Sequence, residues 1–68
     1  MAKFIEVTNT ANKLESFNPD YVSVIDTSED YETKRMVTRV WIMNRDIMSA
    51  VKTFESYESV MQKINSIK

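Results

Sequence analysis

The chain has 68 residues and a net charge of −1, with 43% hydrophobic and 28% charged residues, enough for one small domain and too little to enclose a deep catalytic cavity inside its own core. It contains no cysteine, no histidine and no glycine. That excludes disulfides, thiolate or imidazole metal sites, the usual general base near neutral pH, and glycine-rich loops that cradle phosphates.

Charge is unevenly distributed. From Met1 to Glu32 two lysines stand against seven acids, a balance of −5, whereas from Thr33 onward seven cations stand against three acids, a balance of +4. Halves of opposite sign favour pairing between neighbouring strands or attraction between copies. Glu6 and Thr8 interrupt the first apolar residues too early for a signal peptide, and no run approaches the length of a membrane span, so a soluble cytoplasmic protein is the expectation.

In chain order, Lys3 to Thr8 alternates Ile5 and Val7 with Phe4, Glu6 and Thr8, the period of a half-buried strand. Asn9 to Asn12 reads as a turn, and Lys13 to Phe17 as a strand pairing back in a hairpin. In a chain without glycine, Asn9, Asn12, Asn18 and Asn44 are the candidates for left-handed backbone. Asn18-Pro19-Asp20 forms the next tight turn. Tyr21 to Asp26 is rich in strand formers, with Val22 and Val24 on one face and Tyr21 and Ile25 on the other. The polar run Thr27 to Glu32 is a loop.

Thr33 to Met43 carries the strongest strand pattern, with Met36, Thr38, Val40 and Ile42 assigned inward and Arg35, Val37, Arg39, Trp41 and Met43 outward. After a turn at Asn44-Arg45-Asp46, two readings compete. One is a further strand from about Met48 to Phe54; the other is a single long helix from near Asp46, since Ile47, Ala50, Val51, Phe54, Tyr57, Met61 and Ile64 also form a helical stripe. In both, the chain ends in a helix with Tyr57, Val60, Met61, Ile64 and Ile67 on its apolar face and Ser56 as N-cap. The fold class expected is α+β, an antiparallel meander of four to five strands packed with one C-terminal amphipathic helix.

The segments Phe4-Ile5-x-Val7-Thr8-Asn9, Asn18-Pro19-Asp20-Tyr21-Val22-x-x-Ile25, Val40-x-Ile42-x-Asn44 and Val51 with Glu55-Ser56-x-x-x-Val60 resemble the small flagellar-operon proteins of the FlbD/SwrD type and similar short proteins of unknown function. Where those proteins carry Asn-Gly in their hairpin turns, this chain has Asn9-Thr10 and Asn44-Arg45. The resemblance implies flagellar association and brings no catalytic residue.

Asp26, Glu29, Asp30 and Glu32 are oxygen donors for a divalent cation only if they converge, and they lack the spacing of a calcium loop; a solvated loop is the simpler reading. No nucleophile accompanies the carboxylates, so an enzyme is not expected and no cofactor is called for. The sharper feature is the face of Arg35, Val37, Arg39, Trp41 and Met43, with Phe4 and Lys52 possible neighbours. Arginine and tryptophan together anchor protein interfaces, and the expected function is a non-enzymatic module that self-associates, as a homo-oligomer, or docks on a larger protein. The alternative is nucleic-acid binding or transcription modulation through Arg35, Arg39 and Trp41, which hold phosphates and stack on bases. A third reading has the arginines simply paired with Glu6, Glu15 or Asp26 across strands.

Overall fold

A computed structural model describes residues 3–67. It contains β1 (Ile5–Thr8), β2 (Leu14–Phe17), a 3-10 turn (Pro19–Tyr21), β3 (Val22–Glu29), β4 (Met36–Asn44), β5 (Ile47–Thr53) and α1 (Tyr57–Ser66). All strand pairs are antiparallel, β1 with β2 in one sheet and β3-β4-β5 in the other. The expected α+β fold is the one observed. The segment with two readings is a strand: β5 pairs along β4 from Asn44–Ile47 to Thr38–Thr53, so its β-branched Val51 and Thr53 sit on a pleat, where branching at Cβ is favoured.

The core lies between the two sheets and the helix. Ile5 and Val7 of β1, Phe17 of β2, Val40 of β4, Val51 of β5, and Val60 and Ile64 of α1 form one buried cluster, flanked by Val22, Ile25, Ile42, Met61 and Ile67. The helix begins where the sequence placed it. The Ser56 side chain accepts a hydrogen bond from the Ser59 backbone N–H at 3.1 Å, satisfying one of the unpaired donors of the first turn. Tyr57, assigned to the apolar face, is instead 41% exposed, because it occupies the first helical position, one turn short of the buried Val60.

One face assignment is corrected at the start of β3, and at the start of β4 the burial differs from what the faces imply. Val22 pairs with Ile42 and Val24 with Trp41, a register shift that marks a bulge at Ser23. The extra residue reverses the alternation, so Val22 and Ile25 both pack on the core while Val24 turns outward and is 53% exposed. In β4, Met36 was assigned inward and Val37 outward, yet Met36 is 60% exposed and Val37 only 3%. Here the chain leaving β5 takes the place a longer core would have filled. The Thr38 hydroxyl donates to the Glu55 carbonyl at 2.7 Å, leaving Met36 beyond the polar crossing. Phe54, one position past the Thr38–Thr53 pair, borders the same cleft as Val37 on the outer side.

Left-handed backbone occurs at Asn12 (φ 63°), Lys34 (φ 62°) and Arg45 (φ 60°). Asn12 was among the four candidates. Asn9 and Asn18 serve differently: the Asn9 side-chain oxygen accepts from Ala11 N and Lys13 N, and that of Asn18 from Asp20 N, each mimicking a turn of backbone. β3 extends three residues beyond expectation to Glu29, and its loop closes by paired bonds between Asp30 N and Arg35 O and between Lys34 N and Asp30 O, both 2.8 Å. The bonds close the loop only if the chain reverses at Lys34.

Left-handed backbone costs an L-residue about 1–2 kcal/mol, of which glycine's greater freedom when unfolded returns only a part. Lys34→Gly and Arg45→Gly are therefore each expected to raise unfolding stability, by roughly 0.5–1 kcal/mol, in urea titrations followed by circular dichroism. A loss of stability in either variant would mean that the lysine or arginine side chain holds its turn.

Candidate interaction face

The outward side of the β3-β4-β5 sheet is built in rows by the strand register. Asp26, Arg39 and Lys52 make one row, Val24, Trp41 and Ala50 the next, and Met43 with Met48 a third. Among the described residues no helix lies across these rows; α1 packs on the opposite, core side, with Val60 and Ile64 in the buried cluster. A charged row thus borders two apolar ones. Val24 is 53% exposed, Met48 46% and Met43 40%, Ala50 is exposed, and Trp41 is half-buried at the centre.

The charged row fixes the tryptophan. Arg39 donates from Nε and Nη2 to the two carboxylate oxygens of Asp26, at 2.8 and 2.7 Å, the two-pronged geometry that matches a guanidinium to a carboxylate. Asp26 Oδ1 also accepts from the Trp41 indole N–H at 3.3 Å, and the Arg39 guanidinium lies 5.3 Å from the centre of the Trp41 ring, within cation–π range. The bonds from Arg39, helped by that from Trp41 and opposed by partial desolvation, hold the Asp26 carboxyl below its ordinary value. Trp41 is therefore held in one orientation with its apolar surface presented.

Of the six residues singled out from sequence, Arg39, Trp41 and Met43 share this face. Val37, 3% exposed, has no surface to offer a partner. Arg35 precedes β4, with its guanidinium 4.0 Å from the centre of the Phe54 ring, at the corner where the chain leaves β5. Phe4, 60% exposed, leads into β1 and so belongs to the other sheet. Val24 and Ala50 were not found from sequence. Val24 was hidden by the bulge, and Ala50 becomes visible only once β5 is paired with β4. Among the three arginine partners considered, Asp26 is the one observed.

At the Phe54 corner lies an open cleft of about 700 Å³, bordered by Met36, Val37, Phe54 and Tyr57. Two of its carboxylates are already engaged, Asp26 by Arg39 and Glu55 by Lys63 at 2.7 Å. Among the described residues no group of three or more carboxylates converges as a metal site requires, and no helix is long and apolar enough to cross a membrane.

Comparison with protein-family models, curated protein sequences and solved structures finds no match for this chain.

Glu55 is the second carboxylate with a shifted titration. Burial raises its pKa, but the Lys63 ammonium, the Thr8 N–H at 3.1 Å and the Ser59 hydroxyl at 3.4 Å together outweigh it and hold the group below its ordinary value. A carboxylate whose pKa is lower folded than unfolded adds stability that is complete above the unfolded value and is lost as pH falls through the folded one. Glu55→Gln is expected to be less stable than the parent protein at neutral pH, with the gap closing as acid protonates the parent's Glu55. Urea midpoints measured across that range check it, and a gap independent of pH would assign the loss to packing alone.

Proposed function

We propose that this protein is a non-enzymatic interaction module that docks protein surfaces through the outer face of its β3-β4-β5 sheet. The observation that supports the reading is the set of apolar side chains Val24, Trp41, Met43 and Met48 on one rigid sheet, uncovered and centred on a tryptophan whose indole is already hydrogen-bonded. Tryptophan and methionine are enriched where proteins meet, the first as a rigid anchor and the second as an adaptable filler. The row Asp26-Arg39-Lys52 along one border supplies a polar rim that sets orientation, since rim charges steer encounters more than they add affinity.

The nucleic-acid alternative draws on Arg35, Arg39 and Trp41. Both guanidiniums have neighbours in the chain, Arg39 on Asp26 and Arg35 over Phe54, 4.0 Å from its ring centre, and phosphate binding by Arg39 has to displace a carboxylate. That favours the protein-docking reading.

An apolar fluorescent dye reports on the face, with Trp41, the sole tryptophan, as energy donor. The parent protein is expected to bind dye and quench Trp41 emission, and Met43→Glu/Met48→Glu to weaken that binding about tenfold or more, equivalent to roughly 1.4 kcal/mol, with unchanged circular dichroism. Equal dye binding by both proteins removes the docking reading. A labelled single-stranded oligonucleotide bound more tightly at low salt, and lost in Arg39→Gln, replaces it by the nucleic-acid one.

A further inference from the structure

The sheet that carries this face ends in an unequal pair of edges. On the β5 side the edge is closed toward its end: Thr10 N donates to Lys52 O at 3.1 Å, and Asn9 bridges to Thr53. On the β3 side, among the described residues, no backbone group from Ser23 to Glu29 is hydrogen-bonded except through the ladder to β4. Beyond the bulge, Val24 to Glu29 stays in regular register with Trp41 to Met36. Natural edge strands are blunted by lysine, proline, inward-pointing charge or bulges. Here the bulge lies at one end, the stretch holds neither lysine nor proline, and its central charge, Asp26, is neutralised by Arg39 of the same chain.

The exposed area points to the occupant. A self-contained monomer of 8.0 kDa is expected to expose about 4,450 Å², whereas this chain exposes 5093 Å². The excess, roughly 600 Å², is comparable to the ~800 Å² that each partner buries in a stable interface.

Resting on the docking reading of that face, we propose that two copies of this chain pair β3 to β3, antiparallel about a two-fold axis, into one six-stranded sheet of order β5-β4-β3-β3-β4-β5. An antiparallel pair of identical edge strands is self-complementary, so the contact closes at two copies and does not propagate. The free N–H and C=O groups of both edges are satisfied at once. With the two-fold axis perpendicular to the sheet, the outward faces of both copies lie on the same side, and the docking face doubles in width. Asp26 approaches its counterpart near the axis without unpaired repulsion, since each carries its own Arg39.

The chain has no native cysteine, so single introduced thiols map the contact. Val24→Cys, Thr27→Cys and Ser28→Cys sample β3, and Ala50→Cys samples the broad face. Antiparallel neighbours lie within ~5.5 Å between Cα atoms and a disulfide spans at most ~7 Å, whereas a residue two positions off the axis is roughly 13 Å from its counterpart. Oxidation is expected to cross-link efficiently at or beside one β3 position and to fall several-fold two residues away, with Ala50→Cys uncross-linked and light scattering giving twice the 8.0 kDa chain mass. Cross-linking from Ala50→Cys without any from β3 shows face-to-face association and overturns the edge pairing while leaving the docking face in place. A mass of 8.0 kDa with no cross-link also overturns the edge pairing, and dye binding by that monomer separates this failure from failure of the docking reading.

Discussion

The hydroxyl of Thr53, fully buried, joins the two sheets. It donates to the Thr8 carbonyl at 2.6 Å and accepts from Glu55 N at 3.1 Å. Next to it Glu55 receives Thr8 N and the Lys63 ammonium, while Lys63 also donates to the Glu6 carbonyl at 3.0 Å. The end of β1, the end of β5 and the last turn of α1 thus meet in one polar knot. A buried hydroxyl with both its functions used adds stability, whereas either backbone group left without it costs about 1–3 kcal/mol. The small core depends on this closure, because Val7, Val51 and Val60 are covered only when the hairpin, the sheet and the helix converge.

The same knot explains why the functional face lies on the other side of the sheet. A chain with one helix covers one side of a three-stranded sheet, and the polar crossing at Thr38, Thr53 and Glu55 commits that helix to the side facing β1. Val24, Trp41, Met43 and Met48 are what the opposite side keeps. The ion pair of Asp26 with Arg39 gives that side its order by holding Trp41 in place, and the low pKa of Asp26 follows from the same bonds.

Much of this was legible in the residues. Period-two alternation located β1 and β4, the Asn9–Asn12 turn implied the returning strand β2, the Ser56 cap and the Val60–Ile64 spacing located the helix, and the β-branched content of 51–53 favoured the strand that is observed. What was not legible depends on non-local pairing. Nothing near Ser23 announces the bulge that turns Val24 outward, because a bulge is set by how β3 meets β4. Val37 shares its cleft with Phe54, seventeen residues along the chain, and Thr38 bonds to Glu55, equally remote, so the surroundings of Met36 and Val37 are set by residues that their own segment does not name. Of the candidate site, Arg39, Trp41 and Met43 come together as their alternation implied; Arg35 was placed with them by the same alternation on a strand expected from Thr33, but β4 begins at Met36, and Phe4 was added by residue type, which carries no information about distance.

The polar knot also governs how the chain reaches its native state. Its bonds join residues 45, 47 and 57 positions apart, so each closes a loop of at least 45 residues, and loop-closure entropy is spent before it is repaid. The β1-β2 hairpin, with four pairs and no covered face of its own, is too small to persist alone. During synthesis at ~5–20 residues per second, the early strands therefore wait for seconds without a partner until α1 has left the ribosome. The long sequence separation that closes the mature domain makes folding a single late event.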